Sequence, residues 1–384
     1  MVKSSISTPL TLSTLAFGAF VAQTTEYLPI GLLSQISDAF KVSDARVGLL
    51  VTGYAWIAAI TAIPFTLLTR KMERRKLYLL LLLVVTLANV LSAISPNYWA
   101  LAIFRIIVAL THGVFWSIIA AFAMRASPNM AAGRATAWVF FGISLAVVGG
   151  VPFATAVGQS FGWRISFGIF AALGFVGIIA GTFLLPILPA QQKNHHSAAP
   201  VNNKPLYGAA LVTGLSLTAH FCAYTYIVPL LKSVAMVPIS MIPLMFLVFG
   251  VAGLVGNAGG GWLSRKIKLV VAIAILGIVF SQLTILIAGR AAVTTWFAMT
   301  LWGASITMLI VGLQSWILEI APHQADAASA LYVATFNGGI GLGALTGGLA
   351  LDYSGPSLVI IMGIICGTTA LLSLAVNSRI RSSA

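Results

Sequence analysis

Apolar runs long enough to cross a bilayer recur about twelve times along this chain, and few folds tolerate that pattern. No water reaches the hydrocarbon core, so a spanning segment must satisfy its own backbone. Only helices and closed barrels do so. Helical spans take roughly 20 apolar residues, whereas barrel strands are about half as long and alternate strictly. The runs here are long and do not alternate, which predicts helices. Their approximate limits are 10–33, 45–69, 77–95, 98–124, 132–158, 164–186, 206–231, 238–263, 269–289, 292–318, 327–351 and 357–378. Charge supports the same reading. A soluble domain carries roughly 25% charged residues, but this chain carries 7%, with 59% hydrophobic. The expected fold class is an all-α membrane protein of twelve transmembrane helices. The first run is too long for a signal-peptide core and lacks a convincing cleavage site, so it is read as the first span.

A net charge of +14 would suggest nucleic acid in a soluble protein. Here the basic residues are sorted by loop. With the N-terminus placed inside, the inner loops and termini hold Lys3, Arg70, Lys71, Arg74, Arg75, Lys76, Arg125, Arg134, Lys193, Lys204, Arg265, Lys266, Lys268, Arg379 and Arg381. The outer loops hold Lys41, Arg46, Arg164, Lys232 and Arg290, which makes 15 against 5. The asymmetry places both termini in the cytoplasm, as an even number of spans requires. Expected partners are therefore the lipid bilayer and a small-molecule solute, with no nucleic acid, and the chain is read as a monomer. Cys222 and Cys366 both fall in apolar runs and have no disulfide or metal-ligand spacing. No paired catalytic groups cluster anywhere, which argues against an enzyme.

Residues 189–205 form a polar linker containing His195 and His196, which are read as solvated linker residues rather than metal ligands. The linker separates residues 1–188 from 206–384, and the two parts resemble each other. Leu68-Thr69-Arg70-Lys71 returns as Leu263-Ser264-Arg265-Lys266, and Thr25-Glu26-Tyr27-Leu28-Pro29 aligns with Thr225-Tyr226-Ile227-Val228-Pro229. Ala135-Thr136-Ala137 and Pro128 find counterparts in Ala328-Ser329-Ala330 and Pro322. All fall in order at offsets between 193 and 200, so the sequence predicts two six-helix bundles. A cytoplasmic linker with a midplane site between such repeats is a secondary-transporter architecture.

Polar residues inside the spans mark the candidate site. Glu26 is the one acid in the first run, and an intramembrane carboxyl is costly and commonly has a task. Gln23 lies one turn away on the same face. Two readings of Glu26 stand: an acid that loads and releases a proton, or a structural carboxyl bonded to a neighbouring helix. In the fourth span, Arg105, His112 and Trp116 fall on one stripe. Arg105 either tunes the proton site or snorkels to the interface. His112 can titrate or bond a hydroxyl, or can simply bond a helix carbonyl. Trp116 can stack on a sugar or pack the bundle. In the second half, His220 and Tyr224 are one turn apart, and Tyr226 stands at the repeat position of Glu26. That asymmetry assigns protons to the first half and more of the solute contacts to the second. Asn257, Gln314 and Asn337 add neutral hydrogen-bonding groups, which suit an uncharged polyol, although amides also bridge helices. Gly338 to Gly348 partly mimic a dinucleotide fingerprint. No strand precedes them, so that reading is rejected. Glu319 and Asp326 are read as an inter-helix salt-bridge pair.

The loop Thr66-Leu67-Leu68-Thr69-Arg70-Lys71-Met72-Glu73-Arg74-Arg75-Lys76 resembles the cytoplasmic signature of the major facilitator superfamily. Leu68, Arg74 and Arg75 match. Arg70 stands where that signature has Asp, and Thr66 and Glu73 replace glycines. Either Glu73 supplies the missing acid and pairs with nearby arginines, or the loop is only a basic topology signal. Thr24 to Leu33, Tyr54-Ala55-Trp56, Glu73 to Leu77, His112 with Phe115-Trp116-Ser117, Gly158-Gln159, Phe161 to Arg164, Thr218-Ala219-His220 with Ala223-Tyr224, and Phe336-Asn337 are similar to bacterial sugar-efflux transporters of the drug/proton-antiporter branch. That resemblance implies a major facilitator fold in a bacterial inner membrane. It implies export of sugars such as arabinose or thiogalactosides, with protons as coupling ion and no other cofactor. It also implies a coupling role for Arg105, and Tyr54 among the solute contacts. Gly149-Gly150-Val151-Pro152 resembles the branch's Gly-Pro signature, where a helix can bend and slide. A multidrug or nucleoside exporter, and a non-transporting sensor, remain the alternatives.

Overall fold

The structure is a computed structural model that describes residues 8–130, 132–189, 204–262, 266–321 and 325–380. Lys3, Lys193, His195, His196, Arg265, Pro322 and Arg381 lie outside the described residues, as do the side chains of Asp326 and Arg379. The expected Glu319–Asp326 pair is therefore outside them as well.

The described residues are helical throughout and contain no strand. In order the helices are α1 (Thr8–Gly31), α2 (Leu33–Phe40), α3 (Asp44–Thr69), α4 (Arg74–Ala93), α5 (Tyr98–Ala126), α6 (Ala132–Leu145), α7 (Val151–Phe161), α8 (Trp163–Leu184), α9 (Lys204–Tyr224), α10 (Ile227–Ser233), α11 (Ile242–Trp262), α12 (Ile267–Ala288), α13 (Ala292–Ile320), α14 (Ala325–Ser354) and α15 (Pro356–Ile380). Among the described residues, 11 helices are long and apolar enough to cross a membrane, against the twelve spans expected. The difference lies in α1, which is 24 residues long but carries five threonines, Gln23 and Glu26. Most of its side chains are buried in protein rather than turned outward, so it has little need of an apolar surface.

The chain divides into two compact units: Met1–Gln35 with Ile57–His195, and Ile36–Trp56 with His196–Ala384. The division falls inside the linker segment. The stretch Ile36–Trp56, however, belongs to the second unit, although it precedes the linker.

In the first unit, α1 packs along α6, α7 and α8, and α4 packs on α5 and α8. Small residues set the approach of α1 to the α6–α7 span. Gly142 sits on the Ala16 carbonyl, Gly150 on the Thr24 side chain and Gly158 on Leu32. The separation in sequence is constant along these pairs, as parallel helices require. Residues 132–158, expected as one helix, are interrupted by a π turn at Ala146–Gly150. Pro152 has no N–H to give to the turn before it, and the Val151 amide reaches back to the Ala146 carbonyl. The π turn therefore coincides with the glycine-proline stretch.

In the second unit, α9 takes the central place and packs on α14, α15 and α13. Its contact with α14 is made through backbone. A Cβ on Gly339 would lie 2.7 Å from the Gly214 carbonyl oxygen, and one on Gly343 would lie 2.7 Å from that of Thr218. Gly347 sits on the Cys222 carbonyl. Such close approach favours Cα–H···O contacts and the packing of small residues that membrane helices rely on. The two halves also repeat a turn. Gly162 (φ 90) follows α7 and Gly355 (φ 81) follows α14, each in the left-handed region that glycine accepts freely.

The seam yields a paired prediction. Gly343→Ala forces backbone atoms apart and should destabilise the protein by about 1–3 kcal/mol. A Cβ on Gly338 meets nothing within 4 Å, so Gly338→Ala should be neutral or stabilise by up to about 1 kcal/mol through helix propensity. Thermal unfolding of both variants in detergent checks the contrast.

Candidate functional site

The first-unit site begins with Pro29. A proline inside a helix leaves the carbonyl four residues earlier without its usual amide, and here that carbonyl belongs to Thr25. Arg105, buried on α5, supplies the missing donors. One terminal nitrogen of its guanidinium donates to the Thr25 carbonyl at 2.7 Å and the other to the Glu26 carbonyl at 3.0 Å. Asn89 of α4 donates to the Thr25 hydroxyl at 2.8 Å. Two neighbouring helices thus grip α1 at the turn that carries Glu26.

The Glu26 side chain points to other partners. Gln23 donates to its Oε2 at 2.9 Å, and His112 Nδ1 lies 3.8 Å from the same oxygen. The Trp116 indole N–H donates to that same Nδ1 at 3.3 Å. A nitrogen that accepts a hydrogen bond carries no proton, so the neutral imidazole holds its proton on Nε2. The Nδ1 side of the imidazole, which accepts from Trp116, is also the side that faces Glu26. The Glu26 and His112 side chains are about one-tenth exposed, at 10% and 11%. The arrangement is a carboxyl and an imidazole within reach of one proton, with a permanent cation anchored to the backbone beside them.

The second-unit cluster is aromatic. His220 stacks on Tyr224 at 4.8 Å between ring centroids, and Tyr224 stacks on Phe249 at 5.1 Å. Trp302 stands perpendicular to His220 and donates its indole N–H to His220 Nδ1 at 2.9 Å. No acid joins this cluster among the contacts described.

The remaining predicted residues are dispersed. Tyr226 is fully buried, donates to the Ala344 carbonyl at 2.7 Å and packs against Gly48, Gly347 and Gly348. It fills its surroundings rather than presenting its hydroxyl to a solute, contrary to expectation. Tyr54 is buried in the Ile36–Trp56 segment. Asn337 is buried and donates to the carbonyl of Val333 in its own helix at 3.0 Å, while Asn257 and Gln314 are exposed. Sequence reading missed Asn89 and Trp302. Asn89 was visible as an amide in an apolar run. Nothing in the local sequence of Trp302 marks it as a partner for a histidine on another helix.

These polar groups sit on spans that also match a known pattern, since the sequence signature of the Major Facilitator Superfamily fits residues 15–344. The chain belongs to that superfamily. It is a multi-pass membrane transporter. Over 362 residues it is 33% identical to a "Probable sugar efflux transporter" of Helicobacter pylori (strain ATCC 700392 / 26695), covering 94% of this chain and 92% of the relative. The counterpart in strain P12 matches equally well, at 33% over 362 residues. Solved structures share the fold at low identity. A bacterial homolog of the human lysosomal transporter Spinster, in an inward-facing and occupied conformation, has a TM-score of 0.80 at 15% identity over 96% of each chain. The nucleoside transporter NupG has a TM-score of 0.77 at 16% identity over 97% of this chain and 98% of its own.

In this superfamily member the cytoplasmic-signature loop departs from the expected pairing. Glu73 accepts from the backbone amides of Arg75 at 2.6 Å, Lys76 at 3.1 Å and Leu188 at 3.2 Å. Its carboxylate caps α4 and holds the chain end after α8, and among the described residues no arginine side chain pairs with it. The arginines also bind backbone: Arg74 to the Arg70 carbonyl, Arg75 to that of Thr182 and Arg125 to that of Pro189. Leu68 and Arg70 are exposed, and Gly149 and Pro152 lie in and just after the π turn.

The Arg105 grip can be tested directly. A lysine cannot span two carbonyls as the guanidinium fork does, so Arg105→Lys should lower stability by about 1–3 kcal/mol. Pro29→Ala restores an amide for the Thr25 carbonyl and should recover part of that loss in the double variant. Thermal unfolding of the singles and the double measures the coupling.

Proposed function

We propose that this transporter exports small neutral solutes, sugars such as arabinose or thiogalactosides, in exchange for protons, with Glu26 as the proton carrier. The observation that carries the proton assignment is the shared His112 nitrogen. Glu26 lies 3.8 Å from His112 Nδ1, and the Arg105 guanidinium donates to the backbone carbonyls of Thr25 and Glu26 on the same turn; an intramembrane carboxyl in such polar company commonly has a task. The printed name of the Helicobacter pylori relatives, at 33% identity, supports a sugar as cargo. The neutral and aromatic character of the His220 cluster agrees with an uncharged solute.

Exchange needs only that proton and solute each bind two states of the protein differently. A proton on Glu26 removes a charge from α1. Its loss restores a carboxylate held by Gln23. The protein is read as lying in a bacterial inner membrane, and the sorting of loop charges supports both termini on the cytoplasmic side. No cofactor beyond the coupling proton enters this reading.

Glu26→Gln retains shape and a hydrogen-bonding amide but cannot carry the proton. In proteoliposomes, wild type should drive arabinose or thiogalactoside uphill under an imposed pH gradient. The variant should lose that uphill flux, down to the level of protein-free vesicles, while retaining sugar-for-sugar exchange. Uphill, pH-driven flux by Glu26→Gln would overturn the assignment. Wild-type flux of nucleosides in place of sugars would favour the kind of cargo named for NupG.

A further inference from the structure

The second-unit histidine is held more completely than a packing residue requires. Its backbone lies beside the Ala219 carbonyl, to which Gln282 of α12 donates at 3.0 Å. Its ring is stacked on Tyr224, with Phe249 parallel beyond, and Trp302 approaches edge-on at 90°. The indole N–H of Trp302, a fully buried residue of α13, donates to Nδ1 at 2.9 Å. Among the described residues this is the hydrogen bond the ring makes.

Three consequences follow from elementary chemistry. The indole N–H is a donor only, so Nδ1 must be the acceptor and the proton of the neutral ring must sit on Nε2. The opposite tautomer would set two N–H groups against each other, which a buried site does not tolerate. Stacking on one side and an edge contact on another also fix the ring plane. The Nε2–H is thus a donor of fixed direction, with no carboxylate in the cluster to compete for it. His112 in the first unit has the same indole-to-Nδ1 bond from Trp116, but its Nδ1 also faces Glu26. Among the described residues that carboxyl contact sets His112 apart from His220.

We propose that Trp302 is a positioning residue for solute recognition. It locks His220 in the Nε2–H tautomer and orientation, so that this N–H donates to a hydroxyl or ring oxygen of a neutral polyhydroxylated solute. This rests on the sugar reading above and deepens it, because it names the atom and the residue that orients it. Trp302 touches no solute and acts through His220, as an outer-shell group orients the group in contact.

The test uses full-length protein in lipid nanodiscs and proteoliposomes, with arabinose as the probe. With histidines labelled in ¹⁵N and His220 assigned by its loss in His220→Gln, the wild-type ring should show a protonated Nε2 and an unprotonated Nδ1. Saturating arabinose should move the Nε2 resonance and leave Nδ1 in place. Trp302→Phe keeps an aromatic ring and removes the donor. It should give a mixture of tautomers and raise the KM for arabinose about three- to ten-fold with Vmax unchanged, the range expected for loss of one neutral hydrogen bond. In a His220→Gln background the same substitution should leave KM where His220→Gln alone puts it. A wild-type Nδ1–H tautomer overturns the proposal without any variant. So does a Trp302→Phe protein whose tautomers mix while its KM stays at the wild-type value. Wild-type protein that moves neither arabinose nor a thiogalactoside overturns the sugar reading itself, and this proposal with it.

Discussion

Everything described around Glu26 depends on one carbonyl. Pro29 removes the amide that would close the α1 turn at Thr25, and a bare carbonyl at membrane depth costs several kcal/mol unless something else fills it. Arg105 fills it, and its guanidinium fork takes the next carbonyl as well. The result solves two problems together. The arginine, which cannot shed its charge, finds acceptors in the interior. The bare carbonyl gains a donor.

The same economy of backbone groups runs through the molecule. Glu73 and Arg125 are charged residues whose hydrogen bonds, among the described residues, go to main-chain amides and carbonyls. In the second unit Gly339, Gly343 and Gly347 of α14 meet carbonyls of α9. In lipid the backbone is the polar surface that must be satisfied first, and these side chains are deployed accordingly.

Much of the fold was legible in the sequence because membrane spanning imposes length and composition on each helix. The sequence also carries a repeat in four ordered matches at offsets between 193 and 200, and in the structure Gly162 and Gly355 stand at turns after α7 and α14. What the sequence could not show was set by contact between distant segments. Glu26, Gln23 and His112 were picked out because each is polar in an apolar run, and they meet. Arg105 was picked out on the same ground, but its target is a carbonyl, and no residue type advertises a free carbonyl except through a proline four positions on. Tyr226 was chosen by alignment with Glu26. It packs among glycines, because a repeat preserves the place of a residue without preserving its chemistry. Trp302 escaped notice because an indole in a bundle is ordinary until its N–H is seen on a histidine 82 residues away.

The glycine seam between α9 and α14 has an evolutionary consequence. Where two side chains touch, an enlargement on one helix can be offset by a reduction on the other, and such contacts drift in sequence as coupled pairs. Gly339, Gly343 and Gly347 touch carbonyl oxygens, and no substitution on α9 can shrink a carbonyl. The seam has no second residue through which a change could be repaired. Descendants of this chain can alter it only by moving whole helices, so these positions should stay fixed while residues that meet side chains diversify.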